Sequence, residues 1–454
     1  MPYNTTLETE NQRDPLLNLL FLLLSCLFIS SVQGGLWMLV PFLNGTIAFG
    51  ISIVIFFLSL IDRKIMRFFA TQQFGGGILL FLLLSFIYML TEEESFTSSQ
   101  FFTISQCFVI MLIAAHYSVD AKERRPFLIF YFFDLLVKLA ANMYYAYLHP
   151  EMIRDSQLET FSINGTGFEK MVNIPVLYVL ATICYIIFSN FKITKHKILL
   201  LLFVAAVFWL LIQAEMNLVM LTTFIVCLLV LFIHPKYYKQ TLIIAALFGF
   251  ILLIFSKGIL GFIIEHEWFG DTTRNRLEDL YTIFFKGNSV WDNIRYYYTH
   301  AYRYENSSTI IRLYSYINSI KAFFHNFFLG TWTPNAIAHG GHSIWLDLVA
   351  RYGFLILIYY RSLLKYQFHL LKDTDIQNRK AVISFIAAFI FLGIFNNFPL
   401  HYFTIQLYIL LPYFKELIVK KEVKRQDADV FPHNMREWAQ TQMSIDPCGS
   451  EKGE

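Results

Sequence analysis

The sequence predicts an all-α, polytopic integral membrane protein with about twelve transmembrane helices and one large extracytoplasmic loop containing short helices. Three observations predict it. The first is composition. Of the 454 residues, 56% are hydrophobic and 18% aromatic, with 48 Phe, and only 15% are charged, where a soluble domain carries roughly 25%. Mean hydropathy is +0.51. So little polar surface cannot cover so large an apolar core, and lipid must serve as solvent for most of the chain. The second is the recurrence of apolar runs long enough to cross a hydrocarbon layer of about 30 Å. The third is a one-sided distribution of Lys and Arg between those runs.

The apolar runs lie near 15–33, 40–61, 74–90, 101–119, 126–147, 173–191, 198–213, 216–234, 240–260, 342–364, 381–397 and 399–417. The first follows a short polar, acidic stretch, so it reads as a spanning helix rather than a cleavable signal. With the N-terminus in the cytoplasm, loops 62–67, 120–125, 192–197, 236–239 and 361–380 face inward, as does the membrane-proximal C-terminus. Together they hold 21 Lys and Arg, against Arg154 and Lys170 in the short outer loops. The acidic run Glu92–Glu94 falls outside. The organisation that follows is a cytoplasmic N-terminus (1–14), nine transmembrane helices (15–256), the large outer loop (257–341), three more helices (342–417) and a polar cytoplasmic tail (418–454), expected to be disordered.

Net charge is +3, too small to suggest a nucleic-acid partner. The five cysteines form no CxxC pair, and none lies in the large loop, so neither a zinc site nor a disulfide framework is indicated.

Loops as long as 257–341 usually carry function. This one reads in three parts. Residues 265–300 are charged and aromatic, with Arg274, Arg276, Arg295 and Tyr296–Tyr298. Residues 308–329 have helical periodicity, with Ile310, Ile311, Tyr314, Ile317, Ile320, Phe324 and Phe327 as the apolar stripe, Ser307 or Ser308 as N-cap and Gly330 as the stop. Arg312 interrupts the stripe. A turn-rich link, Thr331–Gly341, then delivers His342 to the outer mouth of the tenth span.

In that stretch, Arg312, Gly330, His342-Ser343, Leu346 and Gly353 stand in a spacing that resembles the C-terminal signature of the O-antigen polymerase and O-antigen ligase superfamily. In that family an Arg on a large-loop helix precedes a Gly-containing turn. A His-Asn or His-Ser pair then opens a membrane helix carrying spaced Leu residues and a Gly. The resemblance covers about 308–354, together with the span count and the position of the loop. Two departures are visible. The Ser-Arg pair common at the outer hairpin between spans seven and eight is replaced by Gln213-Ala214-Glu215-Met216-Asn217. The acidic residue common two places before the helix Gly is replaced by Arg351.

The resemblance implies a GT-C-like glycosyltransferase of the bacterial cytoplasmic (inner) membrane. Its donor would be an oligosaccharide on undecaprenyl pyrophosphate, and its acceptor a sugar hydroxyl on a second lipid-linked repeat unit. It would need no cofactor and no metal, and a chain-length-regulating protein would be a candidate partner. His342 and Arg312 would be the catalytic residues. Arg303, Arg274, Arg276, His339, Arg351, Trp345 and Trp332 would bind substrate, one of the arginines replacing the missing hairpin Arg.

The chemistry fits these residue types. A pyrophosphate leaving group needs its charge held, and the planar guanidinium pairs with phosphate oxygens and stays protonated. A sugar hydroxyl benefits from an acceptor for its proton, which a neutral imidazole provides; Glu215 is the alternative base. Tyr and Trp rings offer flat faces for sugars, although the same residues also form interfacial belts. Arg351 lies about nine residues, roughly 13 Å, below the helix mouth, with Asp347 one turn earlier on the same face to neutralise it. Asp134 and Lys138 form a second i, i+4 pair within the fifth span, as a structural pair or as part of an ion path. Asp373-Thr374-Asp375 matches the spaced carboxylates of metal-dependent sugar transferases, but it falls in a charged cytoplasmic loop and reads as a solvated linker.

Polymerase is the first expectation and ligase the second. A transporter of lipid-linked sugars is the third. Twelve spans suit a transporter, but no internal repeat is visible and the large Arg-bearing loop has little use there.

Overall fold

The computed structural model of the protein describes residues 15–33, 35–36, 45–62, 65–66, 75–91, 95–119, 121–148, 174–213, 254–266, 271–287, 289–299, 307–373, 376–395 and 400–419. It also describes scattered helical positions between 223 and 251. Every element among these residues is helical, and one isolated bridge joins Thr194 to Val419.

Among the described residues the chain begins with α1 (Pro15–Gln33), α2 (Gly45–Ile61), α3 (Gly75–Thr91), α4 (Ser95–Val119), α5 (Ala121–Leu148), α6 (Ile174–Ser189) and α7 (Lys197–Gln213). Among the described residues three stretches are long and apolar enough to cross a membrane, Pro15–Val32, Phe101–Ser118 and Glu123–Leu148. Shorter apolar helices cover Ile47–Ile61, Gly77–Thr91, Val179–Ser189, Lys197–Ile212 and Val382–Ile394. Each lies within or overlaps a run read from the sequence. The expected span 216–234 and the outer loop 148–172 fall almost wholly outside the described residues, as do the N-terminal 14 residues and the tail from 420.

The helices are apolar on both faces. Inward residues such as Phe28, Ile55, Ile110 and Leu135 are fully buried, while Leu23, Phe57, Leu83, Phe133 and Ile198 stand exposed, Ile198 at 79%. Water penalises such a surface and lipid does not. Buried serines close their hydrogen bonds within their own helices: Ser52, Ser59 and Ser85 donate to the carbonyls of Ala48, Ile55 and Phe81 at 2.7–2.8 Å.

Helices α8 (Ser256–Glu265), α9 (Asp271–Phe285), α10 (Val290–Thr299) and α11 (Ser307–His325) follow. The expected loop start near 257 is therefore helical, and the charged stretch 265–300 folds into two amphipathic helices. Ile283 and Ile294 meet Leu313, Tyr314 and Ile317 in a small core separate from the main bundle.

The expected tenth span, 342–364, is not one helix. It divides into α12 (Ile344–Tyr352) and α13 (Ile356–Asp373) around a tight turn at Gly353–Leu355. Helices α14 (Ile376–Phe395) and α15 (Leu400–Ile405) complete the bundle, and α15 continues into a π-turn at Gln406–Leu410 and further helical turns to Ile418. The widened turn lets the Gln406 side-chain oxygen accept the Thr182 hydroxyl at 2.8 Å inside the bundle.

The two ends of the bundle collect different loops. At one, Arg124 pairs with Glu416 at 2.8 Å and lies over the Tyr413 ring, Ser118 and Tyr413 share a hydrogen bond, and Lys195 N–H donates to Ile418 O at 2.9 Å. At the other, the Tyr88 hydroxyl donates to Leu329 O at 3.1 Å in the link after α11.

Candidate functional site

Helix α11 packs directly on α12, bringing the Arg312 helix against the His342 turn. Two faces of α11 are engaged. Leu313, Tyr314 and Ile317 turn to the loop core. Ser315, Ser319 and Ala322, small residues at helical spacing, are buried. Gly340 crosses this small-residue face so closely that a Cβ on it would lie 1.9 Å from Ser315 O. Of the expected apolar stripe, Ile320 and Phe324 are exposed, Phe324 at 72%. The side chains of Ile310 and Ile311 lie outside the described residues.

The helix ends at His325, five residues before the expected stop at Gly330. Asn326 takes over there. Its buried amide donates to Ile337 O at 2.7 Å and accepts from Ile337 N–H at 3.0 Å, which folds the link back on itself. Gly330 instead mediates a backbone contact: it has φ +61°, and a Cβ would fall 2.0 Å from Arg351 O. Gly353 faces it with φ +65°, where a Cβ would fall 2.5 Å from Phe328 O. Two positive-φ glycines thus join the link to the break in the tenth span.

His342 is half-buried just before α12. Burial and then the Arg312 guanidinium hold its imidazole below the ordinary 6.5, and the Asp347 carboxylate opposes them. Tyr316, one turn after Arg312, is pushed up by burial, with Arg312 pulling the other way. Arg312, Tyr316, His342 and Asp347 therefore form one electrostatic cluster. Arg312 itself is exposed, its charge available to an incoming anion.

Asp347 ties the cluster together. Its Oδ1 accepts the Ser319 hydroxyl at 2.6 Å and lies 3.9 Å from His339 Nδ1. Its Oδ2 accepts Ser343 N–H at 3.0 Å, capping the start of α12. Ser319 Oγ also accepts Gly340 N–H at 3.0 Å. Sequence reasoning assigned Asp347 to neutralising Arg351 and gave Ser319 no role. The signal was there in Ser319 sharing a face with Ser315 and Ala322.

Other predicted residues are placed differently. Trp345 packs inside the bundle against Tyr360, Phe389 and Phe403, with Gly393 leaving room for its indole. It is built into the core rather than offered as a sugar platform. Trp332 stacks one face on Tyr88, centroids 4.4 Å apart, and is 43% exposed. Arg351 is 4% exposed at the C-terminal end of α12, where the helix dipole favours a cation, and its carbonyl lies under Gly330. Arg274 pairs with Glu278 at 3.0 Å on α9. Arg303 and Glu215 lie outside the described residues, as does the Arg276 side chain.

The fifth-span pair has a visible structural task. Asp134 Oδ1 accepts the Ser30 hydroxyl at 2.8 Å and Leu36 N–H at 2.7 Å, securing the end of α1, and Lys138 is buried one turn on. Among the described residues no three His, Cys, Asp or Glu side chains converge as a metal ion would require. No protein-family model and no curated protein matches the chain.

Proposed function

We propose that the protein is a polysaccharide polymerase of the O-antigen or capsule type, a glycosyltransferase in the bacterial cytoplasmic membrane with GT-C-like architecture. In this reading about twelve helices span the bilayer, both termini are cytoplasmic and the site is extracytoplasmic. The carrying observation is the packing of α11 on α12, which sets an exposed Arg312 within electrostatic reach of a half-buried His342.

The donor is an oligosaccharide on undecaprenyl pyrophosphate, and the acceptor a hydroxyl of a second lipid-linked repeat unit. The hydroxyl oxygen attacks the anomeric carbon as the bond from that carbon to the pyrophosphate oxygen breaks. The hydroxyl proton passes to His342. The electron pair leaves with undecaprenyl pyrophosphate, whose charge Arg312 holds. A proton acceptor must be neutral before it acts, and burial together with Arg312 favours neutral His342 at pH 7. The pyrophosphate requires no general acid, and the reaction calls for no cofactor. Asp134 supports this reading over transport, because its contacts to Ser30 and Leu36 account for it without an ion path.

The test is a surface-glycan gel of the source strain, comparing a deletion with Arg312→Ala and His342→Ala at matched protein levels. Polymerase activity predicts a ladder collapsed to core carrying a single repeat unit, with both variants matching the deletion. Loss of all repeat units from the core, with lipid-linked polymer accumulating outside, would identify a ligase. Lipid-linked single repeats accumulating on the cytoplasmic side, with both variants behaving as wild type, would replace the enzyme with a transporter.

A further inference from the structure

We infer that Ser319 and Asp347 are the positioning residues of this site, holding the His342 turn in register with the Arg312 helix. The inference rests on the polymerase reading for its consequence but not for its geometry. Arg312 and His342 sit on separate elements, α11 and the turn before α12, and rate depends on their separation. A misplacement of about 1 Å can cost about 100-fold. The turn is held by three hydrogen bonds that all meet at this pair. Ser319 Oγ donates to Asp347 Oδ1 (2.6 Å) and accepts from Gly340 N–H (3.0 Å), and Asp347 Oδ2 accepts from Ser343 N–H (3.0 Å).

The two backbone donors bracket His342, one two residues before it and the other one residue after. Ser319 is fully buried and Asp347 nearly so, so water does not compete for these bonds. The carboxylate also lies 3.9 Å from His339, so one anion acts on both His339 and His342. The charged groups acting on His342 are Arg312 from α11 and Asp347 from α12; Tyr316 lies in reach of Arg312, and His339 in reach of Asp347. Asp347 itself touches no reacting atom in this scheme; it acts through the turn and through its charge.

The experiment uses the full chain in lipid nanodiscs, with selectively labelled histidines and His342 assigned by His342→Gln. The His342 titration is followed by NMR in wild type, Asp347→Asn and Ser319→Ala, each first checked for a wild-type melting profile. Asp347→Asn removes the charge that, among the described residues, favours imidazolium, so the midpoint should fall. In Ser319→Ala the carboxylate stays but its tether to α11 is gone, so the midpoint should move away from wild type. Should Asp347→Asn fail to fold, the Ser319→Ala titration decides alone.

In transfer assays with a lipid-linked donor, kcat should drop by about 100-fold for Asp347→Asn, with KM nearly unchanged. Titrations of His342 that coincide in wild type and the folded variants would overturn the inference. A titration that moves, in a protein that shows no transfer from a lipid-linked donor, would support the positioning geometry and strike down the polymerase reading alone.

Discussion

Arg312 and His342 divide the work by exposure. The exposed guanidinium can meet a phosphate, while the half-buried imidazole loses its proton early because of burial and that same guanidinium. Activity that needs neutral His342 should fall as pH drops through a midpoint below 6.5 and stay level above it. Replacing Arg312 with Gln should cut transfer by about 100- to 1,000-fold and move the acid limb to higher pH, since the repelling charge is gone. A pH–rate profile of both proteins checks this. Asp279 on α9 offers a separate test. Burial and neighbouring Glu278 raise its carboxyl to about 6. Its contribution to stability is therefore fully present below the unfolded pKa of about 3.9 and is lost as pH rises through about 6. Asp279→Asn should flatten that dependence and stabilise the loop at pH 7 by about 1 kcal/mol, a figure already reduced for its half-exposed position. Hydrogen exchange of α9 and α11 at pH 4.5 and 7.5 measures it.

Among the elements, the broken tenth span matters most to the site. A continuous helix would carry α12 onward in line, with no recess for the link. The break is held by Gly353, whose φ of 65° and ψ of −160° lie where L side chains do not go. Gly353→Ala should lower stability by about 3 kcal/mol or more through strain and the clash with Phe328 O, seen as a large fall in melting temperature. Asn326→Ala removes a buried amide that makes two hydrogen bonds to Ile337 and should cost about 1–3 kcal/mol. Its local effect should appear as faster proteolysis of the 326–341 link while the bundle stays protected. Gly393→Ala makes a third case, because a Cβ there would meet the Trp345 indole at 2.0 Å. A shift in tryptophan fluorescence together with a lower melting temperature is expected.

At the scale of the whole molecule, the loops sort by bundle end. Residues at the start of α5, which the sequence suggested was a loop, and in the 190–196 connection meet the C-terminal segment near Glu416 and Ile418, and the 326–341 link sits at the end where α3 finishes. Under the proposed orientation, single cysteines placed at exposed Ile337 and Arg361 in a cysteine-free background should label from opposite sides. Ile337→Cys should react with a membrane-impermeant maleimide in intact spheroplasts, and Arg361→Cys only after lysis. The reverse pattern would invert the topology and place the His342 turn inside.

Composition and apolar run length were enough to define an all-helical chain with helices suited to lipid, because spanning a hydrocarbon layer constrains every residue of a run in the same way. The boundaries of α1, α3 and α7 were legible for that reason, while α5 begins five residues earlier than its apolar run, at Ala121. Arg312 and His342 stood out because, with Gly330, Ser343, Leu346 and Gly353, they stand in a spacing that resembles a known family signature. What the sequence could not disclose depends on contacts between distant segments. Gly330 resembled a helix stop until Gly353 and Arg351 O came against it. Trp345 resembled a sugar platform until α14 and α15 closed around it. Asp347 resembled no more than a partner for Arg351 until Ser319, 28 residues away, came within 2.6 Å of it. Local pattern decides which segments become helices, because helical hydrogen bonds are local. Which side chains a helix brings together is decided only when those helices pack, since each buried polar atom then takes the nearest partner the fold provides.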